Sequence, residues 1–413
     1  MNEWDFSPPP DSDLGDHDVA NDGDNLLNKR IALLITGGIA SIKAPFIARA
    51  LRRQGADVVV YATEEALRYT TVEALEWSSV NKVITHLSSA SEHLSDNAPF
   101  DAYLVAPATY NTINKTAAGI GDNPVTTTLS SAIGRMERGT SKILIAPTMH
   151  GSMHNSILTK SLKSLDKMGI RIIPPREQSG KHNIPHEKVL VAEVCRAVST
   201  SPLKGKSILV TSGPTPVKID NVRRITNRFR GRLGIDIAEE LYLRGAKVKQ
   251  IHGDGALRPP DYIDYTIART YEEYRDSVAK ELSENNYEYG IFSAAVADYM
   301  PVKTQEGKIP SGVLQTIELK ATVKIIDEVR KNNPDLKMIT FKYQENLTHD
   351  ELLAIGEKRL KAGDMALVAN RGEEVGPSGE QIAWLMSSQN EPKKLVSKRG
   401  IAIGIADYIE NNL

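Results

Sequence analysis

Gly37 and Gly38, in the run GGIASIK over residues 37–43, stand between a strand-like apolar run and a helix-like one. Free backbone N–H groups and the positive end of a helix at such a turn hold a phosphate. SGPTP, over 212–216, presents the same kind of turn in the second half of the chain. A tight strand-to-helix turn needs those glycines with no ligand at all, so each run becomes a phosphate site only with supporting residues nearby. Four histidines come in pairs four residues apart, His150 with His154 and His182 with His186. On a helix that spacing puts two imidazoles on one face, where they chelate a metal. The first pair lacks the accompanying glutamate and Pro185 breaks any helix through the second, so loop or ligand-contacting histidines are the better reading and no metal site is assigned. APATYNTINKTAAGIGDN, over 106–123, joins a strand to a helix through small and amide side chains, with Asn111 and Thr112 as helix caps unless other residues mark the stretch as a site.

Two better-known signatures fail. Gly205-Lys206-Ser207 ends like a P-loop, but Thr200 stands where the first glycine belongs and the segment precedes its strand; GDGALR has Arg258 in place of the last glycine of a dinucleotide fingerprint. Neither a P-loop nucleotidase nor a nicotinamide dehydrogenase is supported.

The elements that must position these residues follow from hydrophobic pattern. RIALLITGGIA reads as a buried strand entering a glycine turn, SIKAPFIARALRRQG as a helix ended by Gly55, and DVVVYAT as a second strand. AYLVAP (102–107) and KILIAP (142–147) are short, rich in branched residues and separated by helix-length segments, the pattern of a parallel sheet covered on both faces. AVSTSPLKGK, over 197–206, is a polar linker, after which SILVTSGPTP, IDIAEELYLRGAKVKQIHG, YGIFSAAVADY, KMITFKYQE and MALVANRG supply a second α/β set. The fold class is therefore α/β, two doubly wound, Rossmann-like domains over 29–198 and 199–413 with mostly parallel sheets.

Composition agrees. The chain has 413 residues, 40% hydrophobic and 25% charged, which suits two or three globular domains of roughly 100–200 residues. Residues 1–28 hold Glu3 and seven aspartates with no lysine or arginine, so against a net charge of −1 the rest of the chain carries +7. That segment, with Pro8-Pro9-Pro10, reads as a disordered acidic tail. The modest positive body suits anionic small molecules better than nucleic acid, which calls for clustered basic stripes. Cys195 is the one cysteine, which excludes an intramolecular disulfide and a zinc site built on paired cysteines. Its helical spacing in VAEVCRAVS marks it as a packing residue. With no signal peptide and no apolar run near ~18 residues, a cytoplasmic protein without membrane spans is expected.

PATYNTINKTAAGIGDN resembles the PASANT segment of flavin-dependent cysteine decarboxylases, PTMHGSM their substrate-binding PxMNxxM segment, and GGIASIK their flavin-phosphate loop. In the second half SGPTP, ITNRFRG, SAAVADY with Lys308 beyond it, TFKYQE and VANR follow in the order of phosphopantothenate–cysteine ligases. Over about residues 30–410 the chain is similar to the bifunctional coenzyme A biosynthesis family. The resemblance implies ligation of 4′-phosphopantothenate to cysteine through an acyl-nucleotide, then FMN-dependent decarboxylation to 4′-phosphopantetheine. For the ligase it implies Lys308 as the cation that stabilises charge on phosphate oxygens, Asn227 as the amide that holds the acyl-nucleotide, and Ala294, Asp298, Phe341 and Lys358 as nucleotide contacts. Mg2+ and either CTP or ATP are implied as its companions; Lys342 after Phe341 is similar to ligases that accept ATP.

For the decarboxylase the resemblance implies His93 as the active-site histidine, with His86 as the alternative, and Asn111 as the amide that binds the substrate carboxylate. Flavin contacts fall on Gly38, Ile39, Ala40, Thr63 and Thr109, and substrate contacts on Met149, His150 and Met153. The family places asparagine at the position of His150 and carries a flap cysteine that donates the last proton, whereas PPREQSGKHNIPHEK has none. Either His182 or His186 donates instead, or decarboxylation stops at the enethiol, or the first half is a flavin-binding domain without activity or with a regulatory role. Homo-oligomers are implied, with small molecules as the other partners.

Overall fold

The computed structural model describes residues 6–8, 11–312 and 314–413. The chain divides into two compact units between Ser199 and Thr200.

The first unit runs β1 (Arg30–Ile35), α1 (Ala44–Arg52), β2 (Asp57–Ala62), α2 (Val72–Ser79), β3 (Ala102–Ala108), α3 (Tyr110–Ala117), α4 (Pro124–Glu137), β4 (Lys142–Pro147), β5 (Met149–His150), α5 (Ser156–Lys167), β6 (Arg171–Ile172), β7 (Arg176–Gln178), β8 (Lys181–Asn183) and α6 (Glu187–Val198). β1, β2 and β4 bury every residue but the first, and β3 buries all of its residues, as strands covered on both faces must. The five-stranded sheet is parallel in the order β2-β1-β3-β4-β6. The order reverses at β1, so the crevice beyond the carboxyl ends of β1 and β3 is the switch point where ligands bind in such sheets. Helix starts are set locally: Asn123 accepts hydrogen bonds from the N–H groups of Val125 and Thr126 at 3.0 and 3.1 Å and so caps α4, worth about 1 kcal/mol. Cys195 is fully buried on α6.

The end of the segment 1–28, expected to be disordered, packs on the first unit. Residues 1–5, 9 and 10 lie outside the described residues. Leu26, however, is fully buried, and its N–H donates to the Gln54 carbonyl at 2.8 Å. The Asp22 N–H donates to the Arg53 carbonyl at 2.8 Å. The leucine pair Leu26-Leu27 ties the segment to the turn between α1 and β2, where Gly55 has a φ of 88° and a Cβ would stand 3.1 Å from the Leu27 backbone. One buried leucine outweighs the like charges before it, because those charges remain in water.

The second unit runs β9 (Ser207–Ser212), β10 (Val217–Lys218), β11 (Arg224–Ile225), α7 (Arg232–Leu243), β12 (Lys247–Gly253), β13 (Asp264–Ala268), α8 (Tyr271–Glu284), β14 (Tyr289–Phe292), β15 (Tyr299–Pro301), β16 (Leu319–Ala321), α9 (Ile325–Asn332), β17 (Lys337–Gln344), α10 (His349–Lys361), β18 (Ala366–Arg371), β19 (Ile382–Met386), β20 (Lys393–Val396) and α11 (Lys398–Glu410). Its eight-stranded sheet has the order β13-β12-β9-β14-β17-β18-β19-β20, parallel up to β18 and antiparallel beyond. Here the switch point lies between β9 and β14. The run YGIFSAAVADY is strand to Phe292 and again at Tyr299, where β15 begins; from Ser293 the chain crosses the switch point and bonds to the turn after β9, the Ala295 N–H donating to the Gly213 carbonyl at 2.9 Å. Two doubly wound α/β units are thus present.

Candidate functional site

In the first unit the carboxyl ends of β1, β2 and β3 are stitched together. The buried Thr36 hydroxyl donates to the Pro107 carbonyl at 2.8 Å and accepts the Thr109 N–H at 3.1 Å; the Thr63 N–H donates to the Ile35 carbonyl at 3.1 Å. This brings Gly38, Ile39, Ala40, Thr63 and Thr109 to one crevice. A Cβ at Gly37 would sit 2.4 Å from the Glu65 Cβ, and one at Gly38 would project to within 3.5 Å of the Thr109 methyl. Gly37 is thus required by close packing against Glu65, while a side chain at Gly38 would stand over Thr109. The cap of α3 is Thr109 and not Asn111 or Thr112, and its side chain makes no capping bond, so the first-turn N–H groups face the crevice without that partner. Asn111 is exposed on that first turn. The donor set fits a flavin phosphate.

β4 delivers the next residues beside this crevice, the Thr148 N–H donating to the Ala108 carbonyl at 3.0 Å. Met149 is nearly buried and Met153 is 44% exposed; His150 is exposed and accepts the Ser152 N–H at Nδ1 to cap a short 3-10 turn. His150 and His154 share no helix. In the small antiparallel sheet β5-β8-β7, Met149 stands opposite His182. His154 Nδ1 and His182 Nε2 share a hydrogen bond of 2.8 Å, and His182 Nδ1 lies 3.8 Å from the Glu177 carboxylate. The next residue, Asn155, accepts the Tyr110 hydroxyl at 3.4 Å, which ties the pair to the helix that carries Asn111. His186 is exposed at the start of α6. His93 stands in a loop held by the Tyr61 hydroxyl, which donates to the Glu92 carbonyl at 2.7 Å, and its Nδ1 is buried without a partner. No hydrogen bond joins His93 to the crevice residues among the described residues.

The second unit carries a cleft of about 960 Å³ at its switch point. Arg228, Arg230 and Arg232 line it before and at the start of α7, and Lys324, Lys342, Arg359 and Lys398 line it from later elements. Asp298 is the carboxylate among its lining residues, ion-paired to Lys324. Arg228, Arg232 and Arg359 are also ion-paired, to Glu345, Asp236 and Asp327. Among the described residues, the cations of the lining that carry no ion pair of this kind are therefore Arg230, Lys342 and Lys398, beside a helix N-terminus with no side-chain cap, a setting that favours anions. Asn227, Ala294 and Phe341 line the same cleft. The Asn227 side-chain amide donates to the Ala295 and Val296 carbonyls at 2.9 and 3.4 Å, leaving its own carbonyl free of those bonds. Arg228 donates to the Tyr343 hydroxyl at 3.1 Å, and the hydrogen bond of that hydroxyl to Glu345 pushes its pKa above the ordinary value.

Two sequence-assigned residues are not among the cleft lining. Lys358 is exposed on α10 and its neighbour Arg359 faces the cleft instead, one residue being about 100° of helix. Lys308 is exposed on the loop after β15. Gly213 of SGPTP lines the cleft together with residues 230–234, a stretch the sequence reading did not single out as a phosphate turn. SGPTP is a close-approach turn, Gly213 having φ 77° with Gly253 backbone 3.0 Å from a Cβ, whereas the helix N-terminus is built by RGRLG over 230–234. The density of arginines there was the available signal. A Cβ at Gly234 would lie 2.2 Å from the Ser212 Cβ and 2.6 Å from the Ser293 Oγ. Gly234→Val is thus expected to cost about 1–3 kcal/mol in thermal unfolding and to weaken anion binding to the cleft measured by calorimetry.

His252 closes the floor of this unit. Gln250 donates to the Ser212 hydroxyl at 2.7 Å, that hydroxyl to His252 Nδ1 at 2.6 Å, and His252 Nε2 to the Leu257 carbonyl at 3.1 Å. All partners suit a neutral ring, and burial holds its pKa below the ordinary value. Below about pH 6.5 the unfolded chain takes up this proton and the folded one does not. Stability of the second unit should therefore be full above that pH and fall as pH drops through the window below it. Denaturant titrations at stepped pH check this, with the slope reduced in His252→Gln.

Among the described residues no group of three or more His, Cys, Asp or Glu side chains is placed to hold a metal ion, and no helix is long and apolar enough to cross a membrane.

Comparison with known proteins assigns both units. Residues 19–199 match the family described as Flavoprotein, and residues 203–413 the DNA/pantothenate metabolism flavoprotein C-terminal domain. The coenzyme A biosynthesis bifunctional protein CoaBC of Thermococcus kodakarensis is 34% identical over 397 residues, 94% of this chain and 96% of that one. Its counterpart from Methanocaldococcus jannaschii is 33% identical over 344 residues, 83% of each chain. Of solved structures, the DNA/pantothenate metabolism flavoprotein from Streptococcus pneumoniae aligns with a TM-score of 0.46 and 27% identity, covering 51% of this chain and 100% of that one.

Proposed function

The chain belongs to the family of bifunctional coenzyme A biosynthesis proteins, and from that premise we propose which of its residues carry the two reactions. The protein is an enzyme of coenzyme A biosynthesis, a ligase that joins 4′-phosphopantothenate to cysteine and a flavin-dependent decarboxylase that converts the product to 4′-phosphopantetheine.

The ligase reading assigns the second-unit cleft to the nucleotide and the phosphopantothenate carboxylate, and the observation that carries it is the concentration of arginine and lysine around the start of α7 beside Asn227. The carboxylate oxygen attacks the α-phosphorus, pyrophosphate leaves, and the cysteine amine then displaces the nucleoside monophosphate from the acyl carbon. Charge grows on the phosphate oxygens in the first step, where fixed cations act best. Asn227 holds the acyl-nucleotide through its free carbonyl and orients the chain next to Ala294 and Ala295. Phe341 and Asp298, which line the cleft, border the base and ribose; Lys308, which lies outside that lining on the loop after β15, is assigned to the α-phosphate on its placement after SAAVADY alone. CTP or ATP serves as the nucleotide; Lys342 in the cleft wall supports ATP. Mg2+ enters with the triphosphate as its counter-ion.

The decarboxylase reading assigns FMN to the first-unit crevice, its phosphate on the backbone of Gly38, Ile39 and Ala40 with Thr63 and Thr109. Bound FMN supplies the reversible two-electron oxidation of the cysteine moiety that no side chain offers. Asn111 takes the substrate carboxylate, while Met149, His150 and Met153 contact the rest of the substrate. His93, with its buried unpartnered nitrogen, moves a proton at the cysteine moiety. The last proton, which a flap cysteine gives in relatives, comes from the His154–His182 pair, supported by the place of His182 opposite Met149. Exposed Ile39, Ile42 and Phe46, at helical spacing beside the crevice, support self-association, and a cytoplasmic location completes the reading.

Purified protein supplied with phosphopantothenate, cysteine and CTP or ATP tests the whole scheme by mass spectrometry. Pyrophosphate and carbon dioxide in equal amounts, with a yellow protein, are the expected result; pyrophosphate without carbon dioxide would leave a ligase with an inactive first unit.

A further inference from the structure

Asp220 stands at the tip of the hairpin formed by β10 and β11, with its side chain fully buried. Three of its hydrogen bonds stay within that tip: it accepts the N–H groups of Val222 and Arg223 at 2.7 and 2.6 Å and the Arg223 guanidinium at 2.6 Å. The fourth leaves it. The Ile309 N–H, from the loop after β15, donates to Asp220 Oδ2 at 3.0 Å, and Arg223 also donates to the Ile309 carbonyl at 3.1 Å. On the other side of Lys308, the Asn221 N–H donates to the Gly307 carbonyl at 3.0 Å, and the Gln305 N–H to the Ile219 carbonyl at 3.0 Å. Lys308 is therefore bracketed, both of its chain neighbours being bonded to residues 220–223 while its own side chain is exposed. The exit strand of the same hairpin leads to Asn227, itself tied to the Ala295 and Val296 carbonyls.

We propose that Asp220 is a positioning residue of the ligase, a clasp that fixes the backbone on which Lys308 rides to the hairpin that carries Asn227. The inference rests on the role given to Lys308 above. A carboxylate is needed because both oxygens accept: one serves the tip, the other serves Ile309 and Arg223. In Asp220→Asn one of those oxygens becomes an NH2 group, so either the tip or the loop loses its acceptor while size is kept. Hydrogen bonds to the carboxylate hold its pKa far below the ordinary range, so the clasp is charged throughout the working pH.

The test is a double-mutant cycle on the full-length enzyme, with kcat and KM for ligation measured in wild type, Asp220→Asn, Lys308→Met and the double variant. Asp220→Asn should lower kcat about 10- to 100-fold with nucleotide KM nearly unchanged, and should cause no further loss once Lys308 is methionine. An equal loss in both backgrounds would show a merely structural carboxylate and overturn the proposal, as would an unchanged kcat. If Lys308→Met alone is fully active, the reading of Lys308 fails and the proposal falls with it, an outcome distinct from the first two. Should Asp220→Asn fail to fold by circular dichroism, Ile309→Pro removes the same bond from the loop side and is judged by the same pattern.

Discussion

Lys308→Met should slow phosphopantothenoylcysteine formation by about 100- to 1000-fold, the usual cost of removing one group that stabilises transition-state charge. Methionine keeps the length and apolar stem of lysine and removes only the ammonium. Lys308 is exposed, so its replacement should change folding stability by no more than about 0.5 kcal/mol, and the effect can be read as chemistry. The loss should fall on kcat and kcat/KM alike, because the ammonium is needed most as charge accumulates on the α-phosphate. Pyrophosphate release, measured at saturating nucleotide, is the readout. Retention of the wild-type rate would mean that the cations lining the cleft, Arg359 and Lys398 among them, carry the step without position 308.

His182→Gln should lower 4′-phosphopantetheine formation by about 100-fold or more, in line with the loss of a general acid. Glutamine preserves a hydrogen-bonding side chain opposite Met149 and toward His154 but cannot deliver a proton near neutral pH. Carbon dioxide release, which precedes protonation, should be far less affected in a single turnover, so an enethiol product should accumulate and be visible by mass spectrometry. His186→Gln serves as the contrast, since His186 is exposed at the head of α6 and should remain active. Full activity in His182→Gln would remove the histidine pair from the mechanism.

The parts of each site that follow one strand end are legible in the sequence. Gly37, Gly38 and Thr109 sit directly after β1 and β3, so reading the strands also locates the crevice. Thr63 follows β2 in the same way. The cationic cleft is different, because Arg228, Lys324, Lys342, Arg359 and Lys398 come from separate elements and meet only through the strand order. Apart from the arginine run that contains Arg228, no local pattern distinguishes these from ordinary surface lysines and arginines. Lys358 and Lys308, both assigned by the order of motifs, lie outside the cleft lining whereas Arg359 is in it, since on α10 a step of one residue turns a side chain by about 100°. The buried Leu26 escaped because composition averages over a window in which it and Leu27 are outnumbered by acids and prolines. The histidine pair escaped for another reason: His154 and His182 meet because β8 folds back onto β5, a contact that their spacing to nearer histidines conceals.

The fate of one oxygen atom tests the ligase mechanism most directly. Phosphopantothenate labelled with 18O in its carboxylate is turned over with cysteine and the nucleoside triphosphate, and the phosphorus-containing products are weighed. Attack of that carboxylate on the α-phosphorus predicts one labelled oxygen in the nucleoside monophosphate and none in pyrophosphate. Label in inorganic phosphate, with a nucleoside diphosphate as the other product, would place the attack on the γ-phosphorus and contradict the assignment of the cleft.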